Sequence, residues 1–217
     1  MLSNKIFLIT GIADNHSLAM YTAKEIIKQG GKVICTGLGV SEHHKGLSEK
    51  AKIFLTKNFE DFKNAVSEEI EEAQVEILDV TIDENIESFA RNLSQRNIKL
   101  DGMLHAIAMD KTIRNKEVKP LIDVTKDEFC DTMDVSAYSL IRLIHYLLKH
   151  NVLERGSSIC SLSYIAAEKV TFHPYRNISI AKAALERISV ELADELGRSH
   201  DIRVNVIRFS PFMGSKA

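Results

Sequence analysis

Short apolar runs alternate with longer amphipathic stretches along most of this chain, and that alternation restricts its possible folds more than any other feature. Lys5 to Thr10 reads as a buried strand, and Ser17 to Gln29 as a helix closed by Gly30-Gly31. Val33 to Thr36 reads as a second strand and Val75 to Val80 as a third, with a helix from about Glu84 to Arg96 after it. Gly102 to Ile107 reads as a fourth strand, followed by a long helical stretch from Lys126 to His150. Ser158 to Ser163 is a fifth strand, Tyr175 to Gly197 the next helix, and Arg203 to Ile207 a sixth strand. Strands that alternate with helices in this way imply an α/β fold, with a parallel sheet, right-handed crossovers and helices on both faces.

Bulk properties narrow the class. At 217 residues the chain is long enough for one domain with a substantial core, and residues 1–217 read as a single unit. A net charge of −2 gives no sign of nucleic acid or an anionic membrane as partner. The apolar run Ile6 to Ile9 is too short for a signal segment, and no stretch reaches the length of a membrane span. The 3 cysteines, Cys35, Cys130 and Cys160, are scattered, which fits buried thiols in a reducing compartment. A cytoplasmic protein is expected. Ser41 to Glu72 is charged and reads as a solvated helix and loop.

The first strand runs into Thr10-Gly11-Ile12-Ala13-Asp14-Asn15-His16-Ser17-Leu18-Ala19. Gly11 allows a sharp turn, Ser17 can cap the helix, and the helix N-terminus can receive a pyrophosphate. Gly11, Ala13, Ser17 and Leu18 are therefore candidate cofactor residues of a Rossmann-type, doubly wound sheet. Asp79 and Val80 end the third strand, where an aspartate can meet an adenine amino group or simply shape a turn. Ala106, Ile107 and Ala108 are small or apolar and let a ribose lie against the backbone, whereas His105 reads as a core histidine. After the second strand, Thr36-Gly37-Leu38-Gly39-Val40 offers no acidic residue for a ribose and no arginine for a 2′-phosphate. His43, His44 and Lys45 follow and could favour a phosphate, but a solvated loop is the stronger reading.

Tyr164, ten residues, Tyr175, six residues and Lys182 form the most chemical pattern in the chain. A phenol can stabilise a developing oxyanion, and a nearby lysine can lower its pKa and hold a cofactor hydroxyl. Tyr175, Lys182 and Tyr164 are the candidate catalytic residues of an oxidoreductase that uses a nicotinamide cofactor.

Taken together, these segments resemble the enoyl-acyl-carrier-protein reductases of the short-chain dehydrogenase/reductase superfamily. The matching stretches are Gly11, Ser17 and Ala19; Asp79-Val80; Asp101 to Ala108; Met133 to Ser139; Leu162-Ser163-Tyr164; Ala167-Glu168; Tyr175-x6-Lys182-Ala183-Ala184-Leu185-Glu186; and Ile202 to Asn205. The wide spacing separates this group from most short-chain dehydrogenases, which use Tyr-x3-Lys; the residue four before Lys182 is Ile178. The resemblance implies hydride transfer from NADH or NADPH to a trans-2-enoyl thioester carried on acyl carrier protein or coenzyme A, in fatty-acid synthesis. It implies that Tyr175 binds the thioester oxygen, Lys182 the nicotinamide ribose, and that Tyr164 supports them. No metal is implied. Pro211 is expected near the cofactor; the family's following threonine falls at Gly214, with Ser215 beside it. The family continues past this point with substrate-covering helices and an edge strand, so its C-terminal segment is expected to be absent. The helical stretches Asp127 to His150 and Asn177 to Leu196 are apolar on more than one side. With the resemblance, they imply a homo-oligomer, tetramer or dimer. Arg176 and Arg208 are basic residues near the expected mouth that could meet an acidic carrier, although exposed basic residues usually serve only solubility. A non-catalytic dinucleotide-binding relative and a short-chain reductase of a secondary pathway remain open.

Overall fold

The structure is a computed structural model that describes residues 1–114, 117–171 and 175–209. The chain begins with β1 (Ile6–Thr10), α1 (Leu18–Lys28), β2 (Lys32–Gly37), α2 (Glu49–Glu69), β3 (Gln74–Ile77), α3 (Asp83–Gln95) and β4 (Leu100–His105). A short pair follows, β5 (Ile113–Arg114) and β6 (Glu117–Val118), and then α4 (Lys126–Met133), α5 (Ser139–Lys149), β7 (Leu153–Tyr164), α6 (Arg176–His200) and β8 (Arg203–Phe209). Six strands form one sheet in the order β3-β2-β1-β4-β7-β8, and every ladder is parallel. This is the doubly wound arrangement expected from the alternating pattern.

Strand alternation sorts the core into two layers, because successive side chains point to opposite faces. Leu8 and Ile34 join a cluster with residues of α3, α5 and α6, among them Ile86, Phe89, Leu143 and Leu185. Ile9, Val33 and Cys35 join the other cluster with Met20 and Ala23 of α1 and Phe62 and Val66 of α2. Leu140, Leu143 and Leu147 of α5 are wholly buried, so truncating any one to alanine would cost about 2–5 kcal/mol.

Several boundaries differ from those expected, each for a local reason. β3 stops at Ile77, where β2 runs out at Gly37 and the Leu78 N–H makes its last bond to the Gly37 carbonyl at 2.9 Å. Leu78 and Val80 are still buried, so the apolar run outlasts the strand. β4 covers Leu100–His105 rather than residues 102–107, which releases Ala106 and Ile107 from the ladder. The long helical stretch is broken by a π-helical turn, Asp134–Tyr138, between α4 and α5. Ser136 causes part of this: its Oγ accepts the Met109 N–H at 2.9 Å and donates to the Met109 carbonyl at 3.1 Å, tying the turn to the segment after β4. The antiparallel pair β5–β6 was not anticipated. The charged segment after β2 does hold a largely exposed helix, α2, which buries only Leu55, Phe62 and Val66. Among the cysteines, Cys35 is buried as expected, but Cys130 on α4 is exposed.

Candidate active site

The strand order reverses between β1 and β4, and a crevice opens at their carboxyl ends, the place where doubly wound sheets take ligands. Gly11 follows β1 with φ +76°, a conformation that other residues adopt only at a cost. A Cβ placed on Gly11 would lie 2.3 Å from the Ala106 carbonyl oxygen. Only glycine lets these two backbones approach so closely. Behind the turn, Ser17 caps α1 as expected, its Oγ accepting the Met20 N–H at 3.2 Å.

A cleft of about 660 Å³ occupies this crevice, within the usual range for small-molecule sites. Gly11, Ala13, Ser17 and Leu18 line it on the β1 side, Asp79 and Val80 at the end of β3, and Ala106, Ile107 and Ala108 after β4. Lys182 also lines it. Ten of the candidate residues named from sequence thus share one cavity. Val135 of the π turn, Leu162 and Phe209 also line it. They sit within or beside segments of the resemblance, but no pattern in the sequence marks them as lining residues. Tyr164 and Tyr175 are not part of the lining. Pro211, with Gly214 and Ser215, lies outside the described residues.

Lys182 is only 7% exposed. Its ammonium donates to the Leu162 carbonyl at 2.8 Å and to the Ile107 carbonyl at 3.1 Å, bridging the ends of β7 and β4. Burial lowers its pKa to about 8, because a desolvated ammonium gives up its proton more readily. Tyr175 immediately precedes α6, and its ring meets that of Tyr164 edge to face with centroids 5.6 Å apart. The Tyr164 hydroxyl donates to Thr171 Oγ1 at 3.2 Å, and its ring also packs near Phe209. The entry of α6 is fixed from outside the helix: Asp110 Oδ2 accepts the Ile178 N–H at 3.1 Å.

His105 is the core histidine expected. Ser139 Oγ donates to the Val135 carbonyl at 2.6 Å, so it accepts at 2.8 Å from His105 Nε2, which must carry the ring proton. His44 is a correction: rather than sitting in a solvated loop, its side chain is 7% exposed and faces the cleft-lining Asp79. The Ser41 N–H donates to His44 Nδ1 at 3.0 Å, which leaves Nε2–H to donate to Asp79 Oδ2 at 3.1 Å. Asp79 Oδ1 meanwhile accepts from the Thr81 N–H and hydroxyl, so the aspartate both shapes a turn and faces the cleft. The loop folds inward because the imidazole completes this hydrogen-bonded set, which no local pattern announces. Arg208 is also corrected. It is held in ion pairs with Glu186 and Glu168 rather than offered to a partner.

Fold, switch-point cleft and tyrosine–lysine arrangement define a dinucleotide-binding protein of the short-chain reductase type. The sequence model of the Enoyl-(Acyl carrier protein) reductase family matches residues 11–215, and the chain belongs to that family. It is 32% identical over 214 residues to an enoyl-acyl-carrier-protein reductase (NADH), FabI, of Buchnera aphidicola, covering 97% of this chain and 72% of the relative. The corresponding Aquifex aeolicus protein is 33% identical over 213 residues, with 97% and 70% covered. The crystal structure of the enoyl-acyl-carrier-protein reductase (NADH) from Aquifex aeolicus superposes with a TM-score of 0.77 at 31% identity, over 97% of this chain and 74% of that one. A FabI crystal structure from Alistipes finegoldii gives 0.78 at 26% identity, over 97% and 73%. The resemblance first seen in the Tyr-x6-Lys block is thereby borne out. No helix among the described residues is long and apolar enough to cross a membrane.

Proposed function

We propose that this chain reduces the double bond of a trans-2-enoyl thioester to the saturated acyl thioester with NADH, as a step of fatty-acid synthesis. The observation that carries this reading is the edge-to-face contact of Tyr164, at the end of β7, with Tyr175, at the entry of the α6 helix that carries the buried Lys182 of the cleft. A dinucleotide fits the residues present. The close approach of Gly11 to Ala106 makes a shallow backbone cradle, the capped N-terminus of α1 faces the cleft for a pyrophosphate, and small side chains line the walls.

Bound nicotinamide would supply the hydride. Tyr175 donates a hydrogen bond to the thioester oxygen as negative charge gathers there. An ammonium has three N–H donors, and the two carbonyl bonds of Lys182 leave one for a ribose hydroxyl. Tyr164 braces Tyr175 and faces the acyl thioester. Gly11, Ala13, Ser17 and Leu18 hold the pyrophosphate end, Asp79 and Val80 the adenine, and Ala106, Ile107 and Ala108 the ribose. Thr36, Gly37, Leu38 and Asn58 line the cleft beyond β2 and include no arginine or lysine for a 2′-phosphate, which favours NADH over NADPH. The relatives named above also carry NADH in their names.

The chain works as a single cytoplasmic domain on an acyl carrier protein or coenzyme A thioester, without membrane or nucleic-acid partners. Tyr138 at the end of the π turn and Ile180 and Val190 of α6 are exposed apolar residues, which supports a homo-oligomer built through this region. The test is oxidation of NADH, and separately NADPH, with crotonyl thioester, alongside Tyr175→Phe. Turnover with NADH that the substitution removes is expected. NADH binding with no turnover would overturn the reading in favour of a non-catalytic relative.

A further inference from the structure

A polar network lies beside Tyr164 at the carboxyl ends of β7 and β8. Ser163 Oγ donates to Glu186 Oε1 at 2.5 Å. Arg208 binds the same carboxylate through two N–H groups, Nε to Oε1 at 2.8 Å and Nη2 to Oε2 at 2.6 Å, and also pairs with Glu168. The Glu186 side chain is 15% exposed, against 40% for Arg208 and 48% for Glu168. The Arg208 guanidinium holds the Glu186 carboxyl below its ordinary range.

Each member adjoins a part of the proposed site. Ser163 directly precedes Tyr164. Glu168 ends the short 3-10 turn, Ile165–Ala167, that follows Tyr164. Arg208 directly precedes Phe209, which lines the cleft and lies opposite Tyr164 in the β7–β8 register. Glu186 is one helical turn beyond Lys182. Lys182 therefore grips Leu162 while Glu186 grips Ser163, so two successive turns of α6 fasten two successive residues of β7. Exposed ion pairs such as Arg208–Glu168 contribute little to stability. A bidentate arginine–carboxylate pair is instead strongly directional, and here it is directed at the backbone that carries Tyr164.

We propose that Glu186 is a positioning residue: with Ser163 and Arg208 it locks the end of β7 to α6 and so sets Tyr164 against Tyr175 and Lys182. This assignment rests on the reductase reading above. Glu186 touches neither substrate nor cofactor in this scheme. Removing it shifts the geometry at the reacting end while the pyrophosphate and adenine end of the cleft, formed by β1, α1 and the loop after β3, stays as it is.

The experiment compares the full chain with Glu186→Ala and Glu186→Gln. It measures kcat and KM with crotonyl thioester, NADH affinity by fluorescence, and the melting temperature. Glu186→Ala should lower kcat by roughly tenfold to a hundredfold, with NADH affinity held within about twofold. Glu186→Gln still accepts from Ser163 and should recover part of the loss. A merely structural role would lower NADH affinity and melting temperature together and give no such recovery. Unchanged kcat in Glu186→Ala would overturn the assignment, as would equal losses in kcat and NADH affinity. If the alanine variant fails to fold, the isosteric glutamine variant decides: wild-type kcat in it overturns the assignment, and a reduced kcat with intact NADH affinity supports it. No turnover by the unaltered chain would overturn the reductase reading, and the assignment with it.

Discussion

Gly11 and Ala106 bring the turn after β1 and the end of β4 so close that a methyl group on Gly11 would sit 2.3 Å from the Ala106 carbonyl oxygen. Gly156 provides the comparison, since it has φ +83° but nothing within 4 Å of its missing Cβ. Gly156→Ala should therefore show only the left-handed backbone strain, about 1–2 kcal/mol. Gly11→Ala carries that strain plus a clash with backbone that cannot rotate away. It should lower stability further and weaken NADH binding by about tenfold or more, roughly 1.4 kcal/mol of affinity. Chemical denaturation and NADH titration of the two variants separate the terms; equal losses in both would mean that the close approach has no role in binding.

Lys182 ties turnover and stability to pH in opposite directions. Burial brings its pKa from the usual 10.5 to about 8. Below about 8 the ammonium is present to hold the ribose hydroxyl, so kcat should decline as pH rises through that value. Between 8 and 10.5 the unfolded chain holds the proton and the folded chain does not, so folding stability should rise over the same window. The buried charge costs on the order of 3 kcal/mol below pH 8, less what its two carbonyl bonds return. Lys182→Met should raise the melting temperature at neutral pH, flatten both pH trends and nearly abolish turnover. A variant that retains the alkaline decline in kcat would assign the ionisation to another group.

What could be read in the sequence was local, and what could not be read depends on distant partners. The strand–helix alternation and the Ser17 cap are set within a few residues, and both appear in the structure, the alternation with several shifted ends. His44 looked like a loop residue because Asp79, which receives its proton, lies 35 positions away. Arg208 looked like a free surface cation because Glu186 lies 22 positions before it. The π turn depends on contacts of Ser136 and Ser139 with Met109 and His105, which no helical period encodes. The end of β3 was misplaced because buried loop and buried strand are equally apolar; only the loss of a partner strand distinguishes Leu78 from Ile77.

His105 should make the fold sensitive to acid. Complete burial, with Lys182 nearby, lowers its pKa from 6.5 to about 3, and Nδ1 has no hydrogen-bond partner among the described residues. The unfolded chain takes up a proton as pH falls below 6.5, and the folded chain resists until about 3. Stability is therefore complete above 6.5 and is lost progressively toward 3. His105→Gln, which can still donate to Ser139, should remove much of this acid slope at a modest loss of stability at neutral pH. Urea midpoints measured from pH 7 down to 4 would reveal it; parallel slopes for the two proteins would place the acid sensitivity elsewhere.

Asp110 caps α6 from a segment 68 residues earlier, through the Ile178 N–H at 3.1 Å, and its other oxygen accepts from the Thr112 N–H and hydroxyl. An acceptor with negative charge suits a helix N-terminus on both counts. Asp110→Ala should cost about 1–2 kcal/mol, as N-cap losses do. Thr125→Ala should cost a similar amount by breaking the capping box of α4, in which Thr125 and Glu128 exchange bonds. The functional outcomes should differ. The first turn of α6 follows Tyr175 directly, so loosening it moves the phenol, whereas the α4 cap reaches α6 through the Glu128 carbonyl, which accepts from Asn177 at 3.4 Å. Asp110→Ala should lower kcat about tenfold or more at a stability loss that leaves Thr125→Ala nearly fully active. If turnover instead follows melting temperature equally in the two variants, the cap on α6 only stabilises the helix and does not place Tyr175.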